Sequence, residues 1–141
     1  MLLYLAEKFP DEHLGASPTP EARYEMHKWM SYLTGDVHPA FYPYFLPQRY
    51  IADKQQYHAV REAAYIQIDA CFQLLDRHME NRTYMVEDRR TILDAYLFVF
   101  CRWGNTLPKP FTDYANLHRF LIQMSNDAGV QRAMQAQGIG L

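Results

Sequence analysis

The stretch DVHPAFYPYF, residues 36–45, holds one histidine, two prolines and four aromatic rings. Imidazole exchanges a proton more readily near neutral pH than any other side chain, so His38 among aromatics is a candidate for proton or hydrogen-bond chemistry on an apolar substrate. His27, Ser31, Thr34 and His38 recur at spacings of four, three and four, which puts them on one polar stripe of a helix turning about 100° per residue. The competing reading of His38 is a histidine hydrogen-bonded beside a proline kink; for His27 it is a solvated or dimer-contact face. Phe41, Tyr42, Phe45 and Trp103 are the candidate wall of a pocket for a flat apolar molecule. Core packing is the alternative there, most strongly at Trp103. Metal chemistry finds no support: the six histidines form no HExxH motif, and no Cys/His cluster has zinc-like spacing. There is also no phosphate-cradling glycine loop and no serine elbow of a hydrolase.

The elements that must position these residues are helical almost throughout, and no two-residue alternation marks a strand. Residues 1–9 read as a short helix stopped by Pro10, apolar on nearly every side at its start, as suits a helix clamped between two layers. Thr19 caps a second helix, with Pro20 at its first position, running from residue 20 to about 38. Met26, Met30, Leu33 and Val37 form its apolar stripe. Prolines 39, 43 and 47 follow, each removing a backbone donor, so this helix must bend or loosen and open a step at His38. Residues 53–79 predict a long helix with Val60, Ala64, Ile68, Cys71 and Leu75 on its buried face. Thr91 and Asp94 make a capping box ahead of an apolar run, Ala95 to Phe100, that reads as a buried central helix. Two further helices are expected over about 113–125 and 128–137, capped by Asp113 and Asp127, with Gly138 ending the last.

Composition sets the frame for that all-α bundle. A chain of 141 residues fits one domain, and one of this size hides roughly 68–70% of its unfolded surface. A net charge of −2 without a basic run argues against nucleic acid or an anionic membrane surface as partner. No apolar stretch approaches the roughly 18 residues that span a bilayer, and no secretory leader is visible. Cys71 and Cys101 stand in helical settings and read as small buried hydrophobes rather than a disulfide or redox pair. The expected compartment is the cytoplasm.

MLLYLAEKFPDEHL, the long helix ending in DVHPAFYPYF, TYMVEDRRTILDAYLFVFCRW and the closing VQRAMQAQG together resemble the glutathione transferase family, most closely its bacterial beta class. The resemblance covers the C-terminal all-helical domain of that family. TILDAYLF, the most specific piece, resembles the family's buried N-capping box. On this resemblance, residues 1–10 are the last helix of a thioredoxin-like domain and residues 11–141 the helical domain. Two positions depart from the family pattern: Glu87 stands where a glycine is common, and Arg90 where an apolar residue usually precedes the cap. The turn delivering the cap is therefore expected to differ in shape.

The resemblance further implies roles. His38 matches the beta-class histidine near the glutathione sulphur, and Ser31 lies near a polar position that reaches glutathione bound to the other subunit, where relatives carry asparagine. Phe41, Tyr42, Phe45 and Trp103 would line the hydrophobic substrate pocket, while Thr91 and Asp94 are structural. No cofactor is implied; glutathione is a co-substrate when a glutathione-binding domain is supplied. The chain alone is expected to lack transferase activity, because nothing in it plausibly binds and ionises glutathione. A homodimer, or another partner covering Leu2, Leu3, Leu5 and Phe9, is expected. The rival reading is a non-catalytic interaction module or a truncated remnant.

Overall fold

Most of the long helices start where a side chain satisfies their free N–H groups. In the computed structural model, which describes residues 1–141, Thr19 takes the Ala22 N–H at 3.2 Å and Pro20 occupies the first position of α2 (Pro20–Tyr32). Asp127 accepts from Gly129 and Val130 at 2.8 and 3.0 Å to open α7 (Ala128–Gln137), and Gly138, at φ 63°, closes it in the left-handed conformation. The other helices are α1 (Leu2–Lys8), α3 (His38–Phe45), α4 (Tyr57–His78), α5 (Ile92–Gly104) and α6 (Ala115–Ser125), and no strand is present. The all-α architecture expected from the sequence is the one found.

One cap is not where the sequence placed it. Asp113 sits in a short 3-10 turn, Phe111–Asp113, and α6 begins two residues later behind Tyr114, whose side chain caps nothing. The anchor comes instead from α4: Asp76 Oδ1 accepts the N–H groups of Asn116 and Leu117 at 2.8 and 2.9 Å, and Asp76 Oδ2 takes the Asn116 amide at 3.2 Å. A carboxylate from a packed neighbour meets the same need as a local cap, and it also ties α6 to α4.

The capping box of α5 forms in full. Asp94, wholly buried, accepts the Thr91 N–H at 2.7 Å and the Thr91 hydroxyl at 3.0 Å, while the Leu93 N–H donates to Thr91 Oγ1 at 3.3 Å. The second Asp94 oxygen takes the Met85 N–H at 2.8 Å. One carboxylate therefore fixes both the helix start and the loop before it. Burial raises the Asp94 carboxyl above the ordinary range, against the pull of those donors toward the charged form.

α5 is the central rod, with α1, α2 and α6 packed around it; α3 lies along α4, and α7 on α6. Phe41, Phe72, Phe100 and Phe120 are enclosed in the core, each stabilising the fold by about 1.5–3 kcal/mol. The expectation of a fully buried α5 needs one correction: Ala95 is exposed and Tyr96, Val99 and Trp103 are half-buried, so one strip of the rod stays open. α1 is likewise one-sided. Ala6 is buried, whereas Leu3, Tyr4, Leu5 and Phe9 face outward. Cys71 and Cys101 are both buried, as expected, and burial pushes both thiols up. No helix is long and apolar enough to cross a membrane.

Candidate functional site

Pro39 shapes the site before any side chain does. It has no N–H to give back, and its ring crowds the carbonyl one turn earlier. Between α2 and α3 the chain accordingly widens into a π turn, Leu33–Val37, in which the His38 N–H reaches back five residues to the Leu33 carbonyl. The helix thus continues past the proline by loosening rather than breaking. Thr34 steadies the widened turn by donating its hydroxyl to the Met30 carbonyl at 2.7 Å. Of the polar stripe, His27, Ser31 and Thr34 stay exposed; His38 alone turns inward, half-buried, against α5.

Four aromatic rings surround the His38 imidazole. Tyr42, one turn along α3, lies 5.2 Å away between centroids, and α5 supplies Tyr96, Phe100 and Trp103 at 5.8, 5.5 and 5.5 Å. The nearest polar partner is the Tyr96 hydroxyl, 2.6 Å from His38 Nδ1. Phe45 meets Trp103 edge to face at 5.5 Å, and Tyr42 and Phe45 are 42% and 40% exposed, so this ring cluster reaches the surface on one side. Phe41 does not. At 1% exposure it lies behind the wall, stacked on Phe45 and packed against Phe72 and Phe100 in the core. The predicted pocket residues therefore separate into an accessible edge (Tyr42, Phe45, Trp103) and a backing (Phe41). A cavity of about 510 Å³ lies elsewhere, between α1, residues 10–18 and α2, with Arg23, Met26, His27 and Arg89 among its walls.

The sequence pattern of "Glutathione S-transferase, C-terminal domain" matches residues 21–127. A curated relative, glutathione S-transferase GST-4.5 of Xanthomonas campestris pv. campestris, is 31% identical over 139 residues, spanning 99% of this chain and 68% of its own length. The chain belongs to the glutathione S-transferase family. Among solved structures, a glutathione S-transferase from Xylella fastidiosa superposes with a TM-score of 0.88 at 28% identity, over 99% of this chain and 68% of its own. A beta-class enzyme from Sphingomonas chungbukensis shares the fold, with a TM-score of 0.85 at 24% identity over 99% of this chain and 66% of its own. The chain thus spans about two thirds of the length of these transferases and corresponds to their helical domain.

Both departures from the family pattern have a structural counterpart. Glu87 sits at φ 57°, the left-handed conformation that a glycine, the residue expected at this position, adopts without strain. Its carboxylate accepts the Ser17 N–H at 2.8 Å and pairs with Arg89 at 2.6 Å, while Arg89 also donates to the Gly15 carbonyl. Arg90 staples through charge instead of apolar contact: its guanidinium pairs with Asp127, the cap of α7, whose carboxyl is held below the ordinary range chiefly by the Val130 N–H. Sequence reasoning missed Tyr96 altogether. A tyrosine inside an apolar helical run reads as core, and only the fold brings its hydroxyl to His38.

Proposed function

We propose that this chain is the electrophile-side half of a glutathione-conjugating enzyme, with residues 1–10 belonging to the thiol-binding half and residues 11–141 forming the helical domain. In that reaction the glutathione thiolate attacks an electrophilic carbon, a C–S bond forms, and the leaving group departs with its electron pair. His38 is the side chain that meets the sulphur, Ser31 a contact to glutathione across a dimer, and Tyr42, Phe45 and Trp103 the wall for the apolar electrophile, backed by Phe41. One observation carries this reading. The half-buried imidazole lies on the aromatic edge that α3 and α5 share, where that edge opens to the surface, in a chain of transferase family.

The groups facing the edge that can exchange a proton are the His38 imidazole and the phenols of Tyr42 and Tyr96, while both cysteines are buried; on this reading His38 meets the sulphur but does not hold the rest of the tripeptide. Conjugation therefore requires a second body that grips and ionises glutathione. The direct test is turnover of a chlorinated aromatic by the purified chain with glutathione, and by the chain fused to the thiol-binding half of a bacterial relative. The fusion should turn over and the chain alone should not.

A second reading is a non-catalytic module held by its outward α1 face. The exposure of Leu3, Tyr4, Leu5 and Phe9 favours it, since such a patch is ordinarily covered. A thiol-binding domain or a second copy of the chain would cover it equally in the transferase reading. A fusion that folds and binds glutathione but never conjugates would favour the module.

A further inference from the structure

We infer that Tyr96 is a positioning residue: its hydroxyl donates to Nδ1 of His38 and fixes the imidazole as a one-sided donor, with its proton on Nε2. The inference rests on the reading of His38 as the thiol-facing residue. Three observations support it. First, the Oη to Nδ1 distance of 2.6 Å is shorter than an N–H donor to oxygen ordinarily makes, about 2.7–3.2 Å. The short contact fits a phenol giving its proton better than an imidazole giving one. Second, the phenol has a proton to give. Burial, helped by the neighbouring Tyr42, pushes Tyr96 above the ordinary tyrosine range, so it is a neutral phenol at the pH of the experiment below.

Third, both rings are held by their packing. Tyr96 lies two residues past Asp94, on the helix whose start the capping box locks, and its ring packs on buried Phe100 at 4.7 Å. Phe100 and Trp103 set their rings edge-on to the imidazole at 67° and 62°, and Tyr42 covers a third side. The imidazole is thereby kept in the orientation that presents Nδ1 to the phenol.

The chemical consequence follows from the two ring nitrogens. In a neutral imidazole one nitrogen donates and the other accepts. A phenol donating to Nδ1 fills the acceptor and leaves the proton on Nε2. His38 then offers an N–H to whatever reaches the edge, which stabilises an anionic sulphur by donation. It does not take the thiol's proton in that state; the proton leaves by another group. A hydrogen-bond donor aimed at the charge that the reaction develops is the arrangement that lowers a barrier most directly.

The test needs no substrate. In the chain labelled with ¹⁵N-histidine, long-range proton–nitrogen correlation at mildly alkaline pH reports which ring nitrogen of each histidine carries the proton, and His38→Gln assigns the His38 signals by their loss. The expected spectrum shows an unprotonated Nδ1, a protonated Nε2, and a slowly exchanging hydroxyl proton scalar-coupled to Nδ1. Tyr96→Phe should abolish that hydroxyl signal and shift the tautomer balance toward the mixture of a free imidazole, an effect that loss of packing alone would not give. A proton on Nδ1 in the parent chain overturns the inference, as does an unchanged balance in Tyr96→Phe. Should that variant not fold, the parent spectrum decides alone. The reading of His38 fails separately, if the fused protein conjugates equally well with His38→Ala while the tautomer result stands.

Discussion

Glu87 combines backbone strain with side-chain gain at a single residue. A Cβ at φ 57° costs about 1–2 kcal/mol, while its carboxylate holds Ser17 and Arg89 in the loop that frames α5. Glu87→Gly removes the strain and the contacts together; Glu87→Ala removes the contacts and keeps the strain. Urea unfolding should find both below the parent, with the alanine variant lower than the glycine by about 1 kcal/mol. Equal stability would mean that the left-handed backbone is not what sets this position apart. His78 gives a pH signature at the same scale. Its Nε2–H donates to the Met85 carbonyl at 2.7 Å, its ring lies 3.8 Å from that of Trp29, and burial lowers its pKa from the ordinary 6.5. The unfolded chain then binds the proton more tightly than the folded one, so stability rises with pH. The contribution is complete above about pH 6.5 and is lost as the pH falls through that value toward the folded pKa. The lowered carboxyls, Glu25, Asp69 and Asp127, stay ionised down to about pH 4.5, and the raised Asp94 carboxyl acts with the opposite sign, so His78 is the shifted group that weakens the fold as the pH falls across that window. The urea midpoint should fall from about pH 7.5 to about pH 5, and His78→Gln should flatten that fall.

At the scale of elements, the caps separate what a sequence can express from what it cannot. The caps Thr19, Thr91 with Asp94, and Asp127 were legible because each capping side chain lies within one turn of the N–H groups it accepts, as were Pro20 and Gly138 from their own backbone preferences, and all formed. Asp113 was misread for the same reason: a nearby acid looked like the cap, whereas the carboxylate in place comes from Asp76, about forty positions upstream. Asp76→Ala should therefore cost about 1–2 kcal/mol and speed amide exchange in the first turn of α6, while Asp113→Ala should stay within about 0.5 kcal/mol. The reverse order would restore the local cap. Asp94 should dominate the molecule's capping energetics. Its loss strands the Met85 and Thr91 N–H groups in the interior, so Asp94→Ala should cost about 3 kcal/mol or more, against about 1 kcal/mol for Thr91→Ala, as read by chemical denaturation. The loosening at Pro39 was also legible, since a missing donor is a property of the residue. That it takes the form of a π turn, with Tyr96 meeting His38 across 58 positions, depended on tertiary packing that no local pattern encodes.

At the scale of the whole molecule, the pieces form a bundle around α5 that leaves open the outward face of α1 and the aromatic edge at His38. The proposal that the chain is one wall of a two-walled cleft gives both a purpose. A thiol-holding body seated on α1 would place its ligand against the helical half, and the edge would take the electrophile. The measurement that bears on this most directly is the initial rate of glutathione conjugation to a chlorinated aromatic by three proteins: the chain, the chain joined to a relative's thiol-binding half, and that fusion with His38→Ala. The account predicts no rate above the uncatalysed reaction for the chain, turnover by the fusion, and a loss of at least about tenfold on removing the imidazole, since positioned proton and hydrogen-bond partners contribute about 10²–10⁴. Turnover by the chain alone, or a fusion indifferent to His38, would contradict it.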